Sequence, residues 1–104
     1  MNEELILGTE CKVKITLPVV GGYTPYQYEF DVELYVNPKN RLVVNKYSCY
    51  PKAETNNFIV PFDSAKVGVG DMNVEIVAYI PDDHFEDGLR TERIRVESVA
   101  TIIP

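Results

Sequence analysis

The chain has 104 residues, 45% of them apolar and 25% charged, which suits one globular domain with a single modest core and excludes a disordered polar chain or a deep two-domain cleft. Its formal net charge of −6 and pI near 4.7 are the wrong balance for a phosphate-backbone binder, which clusters Lys and Arg, so nucleic acid is not expected as a partner. Apolar runs of a few residues fall far short of the roughly 20 that a membrane helix needs, so no membrane partner is expected either.

Met1 to Glu4 reads as a short loose arm within a single domain spanning 1–104. It is acidic where a secretory signal is basic and then apolar, pointing to cytoplasmic synthesis or prior processing. Leu5 to Leu7 is a weak strand candidate. The first strong alternation follows, with Cys11, Val13, Ile15 and Leu17 on one face and Lys12, Lys14 and Thr16 on the other. Pro18 to Pro25, with Gly21-Gly22, breaks the pattern. Tyr28, Phe30, Val32, Leu34 and Val36 then alternate with Glu29, Asp31, Glu33 and Tyr35. Successive strand side chains point to opposite faces, so each run presents one apolar and one polar face, as a half-buried antiparallel strand does.

Beyond the Asn37-Pro38-Lys39-Asn40 turn, Leu42 to Tyr47 and Asn57 to Pro61 are shorter strand candidates, separated by a turn over Pro51 to Asn56. Asp63-Ser64-Ala65-Lys66 is a single helical turn that Asp63 caps through its side-chain oxygen. Val67-Gly68-Val69-Gly70-Asp71 leads into a long closing hairpin: Met72 to Ile80, an acidic turn over Pro81 to Leu89, and Thr91 to Ile103. In the last strand the apolar phase slips after Ser98 toward Val99, Thr101 and Ile103, as a bulge would produce. Six to eight such strands predict an all-β, two-sheet antiparallel sandwich with Greek-key connections, because one flat sheet leaves its apolar face wet.

Candidate chemistry is sparse. Asp82, Asp83, His84, Glu86 and Asp87 crowd the acidic turn, but their spacing is not that of an EF-hand loop, and a solvated connection is expected with no metal and no cofactor. Asp87-Gly88 supplies the positive-φ turn position and Phe85 is expected to tuck onto the sheet edge. His84 stands without an adjacent nucleophile, so no catalytic residue and no enzyme activity are expected. Cys11 and Cys49 lack metal-ligand spacing and read as reduced, partly buried thiols. Tyr23, Tyr26 and Tyr28 follow Gly21-Gly22, and Tyr pairs a large apolar face with a hydrogen-bonding tip, which suits interfaces and sugars alike. Tyr35, Val77 and Tyr79 fall on the outer face and predict an apolar patch there. The expected partner-binding set is therefore Tyr23, Tyr26, Tyr28, Tyr35, Tyr79, Asp82, His84, Phe85 and Glu86.

The run Val69-Gly70-Asp71-Met72-Asn73-Val74-Glu75, continued by Ile80-Pro81-Asp82-Asp83-His84-Phe85-Glu86-Asp87-Gly88-Leu89-Arg90-Thr91-Glu92, resembles small β-sandwich structural proteins of phages and prophages of Bacteroides-type bacteria, crAss-like phages among them. In those proteins a strand leading to Ile-Pro-Asp, a Phe-x-Asp-Gly turn and an Arg-Thr-Glu strand close an immunoglobulin-like domain. Gly8-Thr9-Glu10 is similar to the Gly-Asp-Thr entry of baseplate and head-fibre N-terminal sandwiches, departing from it at Thr9-Glu10. The resemblance implies an immunoglobulin-like sandwich and a non-enzymatic virion component, made in the host cytoplasm, of the capsid-decorating, head-fibre or tail/baseplate group. Its implied partners are other virion structural proteins, with a homo-oligomer possible, and it transfers no catalytic site. An exported adhesion or carbohydrate-binding module is the alternative, which the absence of a signal-like N-terminus disfavours.

Overall fold

The computed structural model describes residues 3–51 and 56–104, with the side chains of residue 51 and residues 97–99 outside that description. Regular structure among the described residues is β1 (Glu3–Ile6), β2 (Glu10–Thr16), β3 (Glu29–Tyr35), β4 (Leu42–Asn45), β5 (Tyr50–Pro51), β6 (Asn57–Asp63), β7 (Gly70–Pro81) and β8 (Leu89–Ile103). Two single 3-10 turns, Lys46–Ser48 and Ser64–Lys66, complete it. The class is mostly-β, as the alternation predicts. Met1 and Asn2 of the expected arm, and most of the turn expected over Pro51 to Asn56, lie outside the described residues, whereas Glu3 and Glu4 belong to β1.

The strands form a five-stranded sheet in the order β1-β8-β7-β3-β4 and a three-stranded sheet in the order β2-β6-β5. The larger sheet is mixed, because β1 runs parallel to β8, with Leu5 beside Ile102. This corrects the all-antiparallel expectation. The turn after β1 carries the chain into the opposite sheet, so no hairpin ties the direction of β1 to its neighbour. Leu5, 9% exposed, reaches the core from the middle of β1, and the Leu7 amide extends the pairing to the Ile103 carbonyl at 2.8 Å. Ser64 anchors that turn: wholly buried, its Oγ accepts from the Thr9 amide at 3.1 Å and lies 3.0 Å from the carbonyl oxygens of both Ile6 and Thr9. Asp63 caps the 3-10 turn as expected, its Oδ1 accepting from the Ala65 amide at 2.9 Å.

The inward faces of both sheets meet in one core. Val13, Ile15 and Leu17 from β2 and its end, and Phe58, Val60 and Phe62 from β6, pack in the same cluster as Phe30, Val32 and Leu34 of β3 and Met72, Val74, Ile76, Ala78 and Ile80 of β7. The Phe30 and Phe58 rings join the sheets edge to face, their centroids 5.2 Å apart. Burying each such side chain contributes about 1.5–3 kcal/mol, so the alternation that defines the strands also fixes their register.

The closing hairpin forms, and the irregularity foreseen near Ser98 is present with a different consequence. Met72 pairs with Ala100 while Val74 pairs with Val96, so β8 spends four residues where β7 spends two. A shift of two keeps side-chain parity. Ala100 and Ile102 therefore remain wholly buried while Thr101 and Ile103 stay half-buried, contrary to the phase change expected toward Thr101 and Ile103; the Val99 side chain of that expectation lies outside the described residues.

Candidate functional site at the loop end

Strand polarity gathers three connections at one end of the molecule. β3 starts at Glu29 opposite Tyr79, close to where β7 ends, and β4 ends at Asn45 opposite Asp31. The β2–β3 connection, the turn after β4 and the β7–β8 turn consequently emerge side by side. Cross-links hold them there. Lys46 Nζ donates to the Tyr28 carbonyl at 2.8 Å and to the Tyr26 carbonyl at 3.3 Å. The Tyr47 hydroxyl donates to the Glu29 carboxylate, and Gly21 sits so near β7 and β8 that a Cβ there would meet Ile80 Cγ2 at 3.4 Å and Arg90 Nη2 at 3.5 Å.

Within the β2–β3 connection the tyrosines divide by depth. Tyr28 is 1% exposed, its hydroxyl donating to the Pro18 carbonyl at 2.9 Å, and burial, then the Glu92 charge, push its phenol up to about 12. This residue anchors the connection from inside and leaves the expected contact set. Tyr23 is half-buried against the core, its backbone bridged to Val20. Tyr26 is 46% exposed, with one ring face on Phe58 at 5.6 Å between centroids.

The β7–β8 turn is closed by its own backbone, Asp82 N–H donating to the Gly88 carbonyl at 2.9 Å and Gly88 N–H to the Phe85 carbonyl at 2.9 Å. Gly88 has φ +75°, the position foreseen for it. Asp82 Oδ1 accepts from the His84 amide at 3.0 Å and lies 3.0 Å from His84 Nδ1, while Arg90 Nε sits 3.4 Å from Asp82 Oδ2. The His84 amide leads in holding the Asp82 carboxyl below its ordinary range, outweighing partial desolvation. These bonds shape the turn and turn its apolar tip outward. Phe85 is 47% exposed and does not tuck onto the sheet edge, and Glu86 beside it is exposed.

Tyr35 and Tyr79 lie elsewhere, on the outer face of the larger sheet, and no open apolar patch forms around them. Tyr35 and Val77 are buried, Tyr79 is half-buried with its hydroxyl donating to Asp31 at 3.1 Å, and the Arg41 guanidinium lies 4.1 Å from the Tyr35 ring centroid. The cover is ionic. Register sets Glu33 directly opposite Glu75, a like-charge pair that is unfavourable by itself. Arg41 Nη1 bridges the two at 2.9 and 2.7 Å, and Arg93 Nη1 bridges them from the other side at 3.5 and 2.7 Å. Burial pushes the Glu75 carboxyl up, but the Arg93 and Arg41 bonds outweigh it and hold it below its ordinary range. Glu33, which alternation places on the polar outer face, thus joins Glu75 and the two arginines in an ionic cover that lays Arg41 over Tyr35.

Cys11 and Cys49 are free thiols; Cys49 is buried, and desolvation pushes it up to about 11. Among the described residues no group of three His, Cys, Asp or Glu side chains converges for a metal. Exposed large apolar side chains at the loop end include Tyr26 and Phe85 and, left out of the expected contact set, Tyr47 at 78%, Val19 at 55%, and Tyr50 and Leu89 where the chain enters β5 and β8. The signal for Tyr47 lay in strand polarity: a residue just beyond β4 returns to the end from which β3 departs. Comparison of the chain with family models, curated proteins and solved structures finds no match.

Proposed function

We propose that this chain is a non-enzymatic binding module that works through protein–protein contacts at its loop end, as a phage virion structural component of the capsid-decorating, head-fibre or tail/baseplate group. One observation carries the contact reading: Tyr26, Tyr47 and Phe85 stand exposed on connections that are cross-linked at their bases, so aromatic surface is held out to solvent on an ordered platform. Large amphipathic side chains on an ordered base lose little freedom on binding, which favours affinity. The virion placement rests on the resemblance of the 69–92 region and on the suitability of such a module for repeated display, where weak contacts are reinforced by multivalency.

An immunoglobulin-like reading of the fold is supported by strand order. β8-β7-β3-β4 corresponds to the G-F-C-C′ sheet and β2-β6-β5 to B-E-D, with the chain crossing between sheets after β1, β2, β4 and β6. In that scheme the loop end is the end that variable domains use for recognition.

The test is quantitative mass spectrometry of gradient-purified particles, counting this chain against the major shell protein. A fixed, symmetry-compatible ratio is expected, and Tyr47→Ser with Phe85→Ser should lower it. Absence from intact particles overturns the virion placement, and an unchanged ratio in the double variant overturns the loop-end contact.

A further inference from the structure

β2 is the outermost strand of the smaller sheet and leaves one edge open along its length. β2 spans seven residues, against four each for the outermost strands β1 and β4 of the other sheet and two for β5. Its hydrogen-bond phase can be read from both ends of its ladder with β6: Ser64 N–H donates to the Thr9 carbonyl at 3.1 Å and Leu17 N–H to the Asn56 carbonyl at 2.9 Å. Hydrogen-bonded pairs in an antiparallel ladder recur every second residue, so Cys11, Val13 and Ile15 turn their backbone groups to β6. Glu10, Lys12, Lys14 and Thr16 turn theirs away from it. Pro61 agrees with this phase, since it lies opposite Lys12, where β2 requires no N–H from it. In the immunoglobulin-like scheme the first strand would occupy this edge, but here β1 pairs with β8 on the other sheet.

Charge says what fits. Lys12 and Lys14 are exposed on the outer face of this edge, and among the described residues neither has an acidic partner, in a chain of net charge −6. A second copy is a poor occupant. Antiparallel pairing of two β2 strands over their full length sets Lys12 against Lys14 twice, and the register that matches Glu10 with Lys14 sets Lys12 against Lys12. Lysine on an edge guards against self-pairing, and the same charge selects a strand of opposite sign.

We propose that β2 is an acceptor edge for an extended segment of another protein that carries Asp or Glu at alternate positions, added to the β2-β6-β5 sheet by main-chain hydrogen bonds. The acids of that segment pair with Lys12 and Lys14. Its main-chain groups meet those of Glu10, Lys12, Lys14 and Thr16. This surface does not depend on the virion reading.

The probe is a synthetic peptide of about ten residues, Glu alternating with Val and Thr, long enough at about 3.3 Å per residue to run the whole edge. Titrated into the 15N-labelled full chain, it should slow amide exchange at Lys12 and Lys14 while leaving Val13 and Ile15, already bonded to β6, unchanged. Lys12→Glu with Lys14→Glu should weaken that peptide at least about tenfold and create binding to the same peptide with Lys in place of Glu. Lys12→Pro removes only an outward N–H and should fold while losing the peptide; its amide spectrum reports the fold separately. Unchanged exchange at Lys12 and Lys14 at saturating peptide, equal affinity in the charge-reversed variant, or concentration-dependent self-pairing through β2 in place of peptide binding each overturns the proposal.

Discussion

Glu75 shows how one side chain ties charge to stability. It is 7% exposed and its Oε2 accepts from both Arg41 and Arg93 at 2.7 Å, so its carboxylate is matched by two guanidinium groups that remain partly in solvent. Because its folded value lies below the unfolded one, the stabilisation is complete above the ordinary glutamate range and is lost as pH falls through the depressed folded value. Glu75→Gln should cost about 1–2 kcal/mol at neutral pH, the lower part of the range for charged hydrogen bonds because solvent screens the arginines. Urea denaturation across acidic pH should show wild type losing stability more steeply than the variant; parallel profiles would exclude this role. Gly70 and Gly88 make a second contrast. A Cβ on Gly70, at φ +131°, would sit 2.7 Å from Val36 Cγ1, whereas one on Gly88, at φ +75°, meets nothing within 4 Å. Both alanines pay for the backbone, about 1 kcal/mol, but Gly70→Ala adds overpacking of about 1–3 kcal/mol. Equal losses in denaturant midpoint would contradict the close approach.

The legibility of an element depended on how much its own residues decided. β2, β3 and β7 were readable from alternation because each puts a near-continuous apolar row on the core. The parallel placement of β1 was not, since four residues with one buried side chain carry no directional signal and the partner strand is almost a whole chain length away. β5 was missed for the same reason: two residues are too few for a pattern, and Pro51 reads as a breaker. The extra residues of β8 kept parity, which sequence alternation alone does not distinguish from a single-residue bulge. What holds β1 and β2 in place is long-range, running through Ser64. Ser64→Ala should cost about 0.5–1.5 kcal/mol, since it removes the hydroxyl that accepts from the Thr9 amide and donates to a carbonyl of the same turn, while the remaining bonds among Ile6, Thr9 and the Ser64 amide persist. Hydrogen exchange should localise the loss, with the Thr9 and Leu7 amides opening well before those of β7. Uniform acceleration across the chain would instead make Ser64 a general packing residue.

For the molecule as a whole, scaffold and loop end should separate in mutational behaviour. The exposure of the candidate site was half legible: Tyr26 and Phe85, singled out from sequence, do stand exposed, but Tyr28 was grouped with them for following Gly21-Gly22 although alternation put it on the core face, and Tyr35 because alternation says which face a residue takes and not what covers that face. Tyr28 closes the core from above, and Tyr35 lies under Arg41. Tyr47 has its ring in solvent and, among the described residues, an exposed carboxylate as its hydrogen-bond partner, and Phe85 rests on a turn closed by backbone bonds, so neither ring supports the core. Tyr47→Ser with Phe85→Ser should therefore leave thermal melting essentially unchanged. Tyr26→Ala should cost a measurable fraction of a fully buried ring, because one face of Tyr26 covers Phe58. Phe30→Ala, which removes the ring joining the two sheets, should cost about 3–5 kcal/mol. Calorimetry on these variants would display the gradient directly. A melting loss for the Tyr47 and Phe85 pair comparable to that of Phe30→Ala would mean that the aromatic rim belongs to the fold and is not surface held out for a partner.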